Sequence, residues 1–196
     1  MGTAIDINQK INLTTTGTSG AATLVGATLN VPQYSGGGGS SNPSVIISYA
    51  TDGTVVTGTL IETSARSLLI PANTFATSGM LEILGRIYKT GALGNLTYRW
   101  YKNTSDTLTG ATLIATIMAP TGQLYSQGTR TFRINSNLLT GLGASQAVTT
   151  DGISTTQVEQ STTFTTSVDN YILLAVTNTS LADSTVVRMA CATKYM

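Results

Sequence analysis

Beyond Val45 the chain never runs far before a turn-forming cluster stops it. The interruptions are Asp52-Gly53, Pro71-Ala72-Asn73, the run from Ser105 to Gly110, Pro120-Thr121-Gly122, Asp151-Gly152 and the stretch 178–184. Between them lie short apolar–polar stretches at 44–50, 55–70, 80–89, 95–102, 111–118, 129–134, 162–167, 170–177 and 184–191. No window carries a convincing helical period, and many short strands at such spacing predict an antiparallel β-sandwich, jelly-roll-like, over residues 45–196. A segment of that length is enough for one real core.

The clearest alternation lies in two neighbouring stretches. In 80–89 the odd positions Leu81, Ile83 and Ile87 are apolar, and in 95–102 the even positions Leu96, Tyr98 and Trp100 are. Joined around Thr90–Leu93 as a hairpin, they would set Ile87 beside Leu96 and Ile83 opposite Trp100, with Glu82 diagonal to Arg99 as an ion pair. Trp100 then reads as core, and so does the single cysteine, Cys191, as a small residue at a strand end.

The first 34 residues are of another kind. Ile5, Ile7, Ile11 and Leu13 share one strand phase with no in-chain partner nearby, and Pro32 marks 17–34 as irregular or as an edge. Such a ribbon buries little by itself and needs partners. Ser35-Gly-Gly-Gly-Gly-Ser40 opens a flexible linker over 35–44. The chain therefore divides into an extended N-terminal attachment and shaft segment (1–34), a linker (35–44) and a β-sandwich head (45–196).

Only 10% of residues are charged, against roughly 25% in an ordinary domain. Thr is the commonest residue, so the surface is polar through hydroxyls. A net charge of +1 with scattered Lys and Arg argues against nucleic acid as a partner. No apolar run reaches the ~18 residues of a membrane span, and 1–6 lacks the basic and apolar regions of a secretory signal. Production and assembly in the cytoplasm are expected.

Without a histidine, serine–histidine and cysteine–histidine nucleophiles are excluded. Asp52, Asp106, Asp151 and Asp183 fall in turn signals, where Asp is ordinary. A catalytic pairing of Glu62 or Glu159 is the remaining acid-only option, and the expectation is no enzyme, no metal and no cofactor. The glycine tract lacks the Gly-Lys-Ser/Thr of a phosphate loop. Tyr101 and Tyr125 are expected to be exposed and are the candidates for glycan contact.

The connector resembles a segment recurring in phage tail-fibre and other virion appendage proteins: Thr16-Gly-Thr-Ser-Gly-Ala-Ala-Thr-Leu24, then Thr28-Leu-Asn-Val-Pro-Gln-Tyr34. Leu68–Phe75, 105–116 and 169–184 resemble heads of phage virion proteins. The resemblance implies a homotrimeric head fibre or short tail fibre of the virion, docking on capsid or tail proteins by its N-terminus and exposing its head to host-surface glycan. Leu24, Leu29, Val31 and Tyr34 are then the expected inter-subunit contacts. A monomeric carbohydrate-binding module and a capsid decoration (cement) protein are the alternatives.

Overall fold

A computed structural model describes residues 12–14, 23–25, 28–30, 43–91, 94–142 and 159–195. The chain divides into two compact units, Met1–Ser40 and Ser41–Met196. In the first, β1 (Asn12–Thr14), β2 (Thr23–Val25) and β3 (Thr28–Asn30) form a sheet of order β1-β3-β2. β1 runs parallel to β3, and β2 antiparallel to it. Leu13, Leu29 and Leu24 thus fall in one cross-strand row. The expectation of no in-chain partner nearby is corrected for Leu13, because the chain turns back to set 28–30 beside 12–14, which periodicity within one strand does not reveal. Ile5, Ile7 and Ile11 lie outside the described residues.

The second unit contains β4 (Ser44–Tyr49), β5 (Val56–Thr57), β6 (Thr63–Ile70), β7 (Ser78–Thr90), β8 (Leu96–Asn103) and β9 (Thr112–Ala119). β10 (Tyr125–Asn135), β11 (Leu138–Leu142), β12 (Glu159–Thr163), β13 (Asn170–Asn178) and β14 (Ser184–Tyr195) complete it. No helix occurs among the described residues. The larger sheet has the order β12-β11-β10-β7-β14-β4, with β5 also on β14, and the smaller is β6-β13-β8-β9. Every pairing in both is antiparallel.

Strand order identifies the architecture. Set aside β5 and the β11–β12 pair at one edge, and number the other eight strands along the chain. The larger sheet then reads first-eighth-third-sixth and the smaller second-seventh-fourth-fifth. That is the double Greek key of a jelly roll.

The alternation read in the sequence survives, but the hairpin does not. β7 pairs with β10 and β14, whereas β8 pairs with β9 and β13, so the two lie in opposite sheets. Leu81, Ile83 and Ile87 meet Leu96, Tyr98 and Trp100 in one core. A period of two fixes which residues point inward but not which strand lies beside them. The contact at Gly85 shows how close the layers come: a Cβ there would stand 2.8 Å from the Trp100 ring. The expected Glu82–Arg99 ion pair is likewise corrected: the two residues lie in different sheets, and Arg99 pairs with Glu62.

Cys191 is also corrected. The register of β14 against β7 slips between Val187 and Met189, so Arg188 is an extra residue. Thr185 and Val187 point inward before this bulge, and Ala190 and Ala192 after it. The phase is reversed, and Cys191 is half-exposed on the outer face, where partial burial raises its thiol pKa. The strand then continues to Tyr195.

Candidate functional site

Residues 50–62, 91, 94–95, 120–124 and 179–183 gather at one end of the jelly roll. The registers Thr90↔Ser184↔Thr57 and Asn178↔Leu96↔Ala119 bring their flanking strands to a common level. Loops carried on such a scaffold are the usual place for recognition. Val55, Leu60, Leu124 and Leu181 are exposed here, and Ile61 is 76% exposed.

A buried ion pair holds this end. Lys89 Nζ lies 3.0 Å from Asp183 Oδ2, with side-chain exposures of 2% and 0%, and Lys89 also donates to the Gly94 carbonyl. Neither Asp183 carboxylate oxygen accepts a well-aligned hydrogen bond, so the charge of Lys89 is its main compensation. Around the pair, Asn178 Nδ2 donates to the Val56 carbonyl at 3.1 Å and Thr185 Oγ1 donates to Asn178 Oδ1 at 2.6 Å. Asn95 accepts from Thr121 through Oδ1 and from Thr179 through its carbonyl. Asp183 is therefore no ordinary turn residue. The overlooked signal was Lys89 itself, a cation on the inward phase of 81, 83 and 87.

On the outer face of the larger sheet a row of planar groups begins beside this end. Tyr125 on β10 is paired directly with Tyr88 on β7, their ring centroids 4.8 Å apart at 36°. The Arg188 guanidinium carbon sits 4.0 Å from the Tyr88 ring centre, and Arg188 Nε is 3.9 Å from Asp52 Oδ1. Two residues along, Arg86 donates to Gln127 Oε1 through Nε at 3.1 Å and Nη2 at 2.8 Å. Tyr125 is 57% exposed. The bulge that displaced Cys191 is what places Arg188 on this face.

Tyr101 stands elsewhere, on the outer face of the smaller sheet. Its hydroxyl donates to Glu62 Oε2 at 2.6 Å, while Arg99 Nη1 donates to Glu62 Oε1 at 2.8 Å. Burial, then the bond and charge of Glu62, push the Tyr101 phenol up to about 12. Glu62 also holds the Arg99 guanidinium pKa above its ordinary value. The two tyrosines chosen from the sequence thus lie on opposite faces. Glu62 is committed to Arg99 and Tyr101, whereas Glu159 is exposed on the edge strand β12. No cluster of three or more His, Cys, Asp or Glu suited to a metal occurs among the described residues.

Of the expected inter-subunit contacts, Leu29 is half-buried in β3 and Leu24 lies in β2, its side chain outside the description. Val31, Tyr34, the four-glycine tract and Asp151-Gly152 lie outside the described residues. A polar cleft of about 470 Å³ opens between the edge strands β4 and β6, with Arg66 4.5 Å from the Tyr49 ring centre and Asp52 and Asp106 on its walls.

No protein-family model matches the chain, and no curated protein does either. Among solved structures, the chain is similar to the CBM2 module of the evolved Dit of Lactobacillus casei BL23 phage J-1, at 10% identity and a TM-score of 0.34, covering 65% of this chain and 67% of that one. It is also similar to infectious bursal disease virus Gx strain, at 14% identity and a TM-score of 0.28, covering 79% of this chain and 42% of the other. Both likenesses are loose, and the jelly-roll assignment rests on strand order.

Proposed function

We propose that this chain is a structural protein of a bacteriophage particle, a homotrimeric fibre of the virion. Its N-terminal ~35 residues dock on capsid or tail proteins, and the jelly-roll head projects for host-surface contact. The observation that supports this reading most is the connector sequence from Thr16 to Tyr34, which resembles that of phage appendages and precedes a separate β unit. The fold alone would not suffice, because jelly rolls serve capsid and lectin functions alike. The head offers no histidine chemistry, and the one deeply buried carboxylate among the described residues, Asp183, is neutralised by Lys89, so a binding role fits better than catalysis. Light scattering on the full chain tests the reading: the expected solution mass is three times 20.3 kDa. Leu29→Asp, in the middle of the leucine row, should dissociate the trimer while leaving the head folded. A monomeric wild-type chain would instead favour a carbohydrate-binding module, the second reading, which the exposed Tyr125 row supports.

A further inference from the structure

The row Asp52–Arg188–Tyr88–Tyr125 ends in an open ring. Tyr88 is enclosed on one side by the Arg188 guanidinium at 4.0 Å and on the other by Tyr125 at 4.8 Å. Among the described residues Tyr125 has only Tyr88 as a ring neighbour, and it is 57% exposed. Its backbone is held by pairing with β7, an inner strand of the sheet, and by Lys89 N donating to the Leu124 carbonyl at 2.8 Å, and its ring rests against Tyr88. Preorganised aromatic faces of this sort are what ring-stacking ligands exploit.

The surroundings narrow the ligand. Gln127 and Arg86 lie two residues along the same face from Tyr125 and Tyr88, a spacing of roughly 7 Å, which a single pyranose can bridge. Arg86 spends Nε and Nη2 on Gln127 and retains other donors. The charged groups at this end of the face are Arg86, Arg188 and Asp52, and Asp52 is drawn towards Arg188. Glu82, further down β7, accepts from the Tyr195 hydroxyl at 3.3 Å. The local balance is therefore positive.

We infer that Tyr125 is the platform of a saccharide site for a carboxylate-bearing pyranose, the sugar ring stacking on the open tyrosine face and its carboxylate taken by Arg86. This rests on the host-surface reading above and gives that contact a location and a ligand class. The Arg86 bond would be charge-assisted, which favours an acidic ring over a cationic one by about tenfold or more.

The test titrates sodium glucuronate, glucose and glucosamine into the full chain while following the tyrosine ring resonances by NMR. Saturable movement of the Tyr125 signals is expected with glucuronate, weaker binding with glucose, and the weakest with glucosamine. In the variants binding is followed through the neighbouring Tyr88 ring signals: Tyr125→Ala should abolish their saturable movement and Tyr125→Phe preserve it, since stacking needs the ring and not the hydroxyl. Arg86→Gln should remove the preference for glucuronate over glucose. Unmoved Tyr125 resonances, wild-type affinity in Tyr125→Ala, or glucosamine bound as tightly as glucuronate would each overturn the site. Failure of the titration in a chain that sizes as a trimer would overturn this site alone. A monomer that binds glucuronate would overturn the fibre reading alone.

Discussion

The two outer faces of the jelly roll each carry a tyrosine in the outward strand phase, and the two have opposite fates. Tyr101 is closed: its hydroxyl is bonded to a carboxylate that also holds Arg99. Tyr125 is open: its neighbours fix the ring and leave a face to solvent. What separates them is the kind of neighbour. A carboxylate completes the polar end of a phenol and leaves it nothing to offer, whereas a planar stack holds the ring from behind and leaves its other side unspent.

The strongest way to break the contrast is to remove the support under the open face. Asp183→Ala strands Lys89 in a buried site, and the expected loss is about 3–5 kcal/mol in urea unfolding, with the loops around Leu124 and Tyr125 loosened. Lys89→Met combined with Asp183→Leu should recover most of that loss, because no buried charge is left unpaired. A single and a double variant of equal stability would refute the account of the pair as a coupled unit.

A smaller effect sharpens the closed side. Tyr101 titrates at about 12 instead of 10.0, so in that interval the unfolded chain has released a proton that the folded chain keeps. Its stabilising contribution is thus complete below pH 10 and is lost as pH rises towards 12. Denaturant unfolding at several pH values across that window should show stability falling, and falling less steeply in Tyr101→Phe. Glu62→Gln should bring the phenol back towards 10, visible as tyrosinate absorbance at lower pH; an unmoved titration would mean that burial alone holds it up.

The smallest effects belong to the open row. Arg188→Ala should cost about 0.5–1 kcal/mol, the worth of an exposed cation over a ring. Tyr125→Ala should change stability by no more than about 0.5 kcal/mol, since little of the ring is buried. A loss of several kcal/mol on removing Tyr125 would show it to be packing and not platform.

Much of the head could be read from the chain because alternation survives folding. The inward residues of β7 and β8 are those the period picks out, and Tyr125 is exposed as expected, whereas Tyr101 is half-buried against Glu62. Partners were not legible. Glu62 reaches Tyr101 from 39 residues away, and Asp183 reaches Lys89 across most of the domain. The bulge at Arg188 reverses the phase of β14, a one-residue event without a Gly or Pro to announce it. Lys89 and Lys102 show a signal that was legible and missed, since each lies on an inward phase near a strand end. Lys89 found a carboxylate, and desolvation lowers the Lys102 pKa. A cation in an apolar phase is best read as a request for a buried partner.

The pairing of β4 with β14 has a mechanical side. Ser44 lies opposite Lys194, and Tyr49 opposite Ala190, so the strand through which the chain enters starts at the end away from the loops 120–124 and 179–183. If the loops are held by a surface while the preceding chain is pulled, the load runs along the axis of β4. The hydrogen bonds to β14 lie across that axis. They would be sheared together, not opened one after another, and a head tethered in this sense would resist detachment better than the same ladder peeled from its tip.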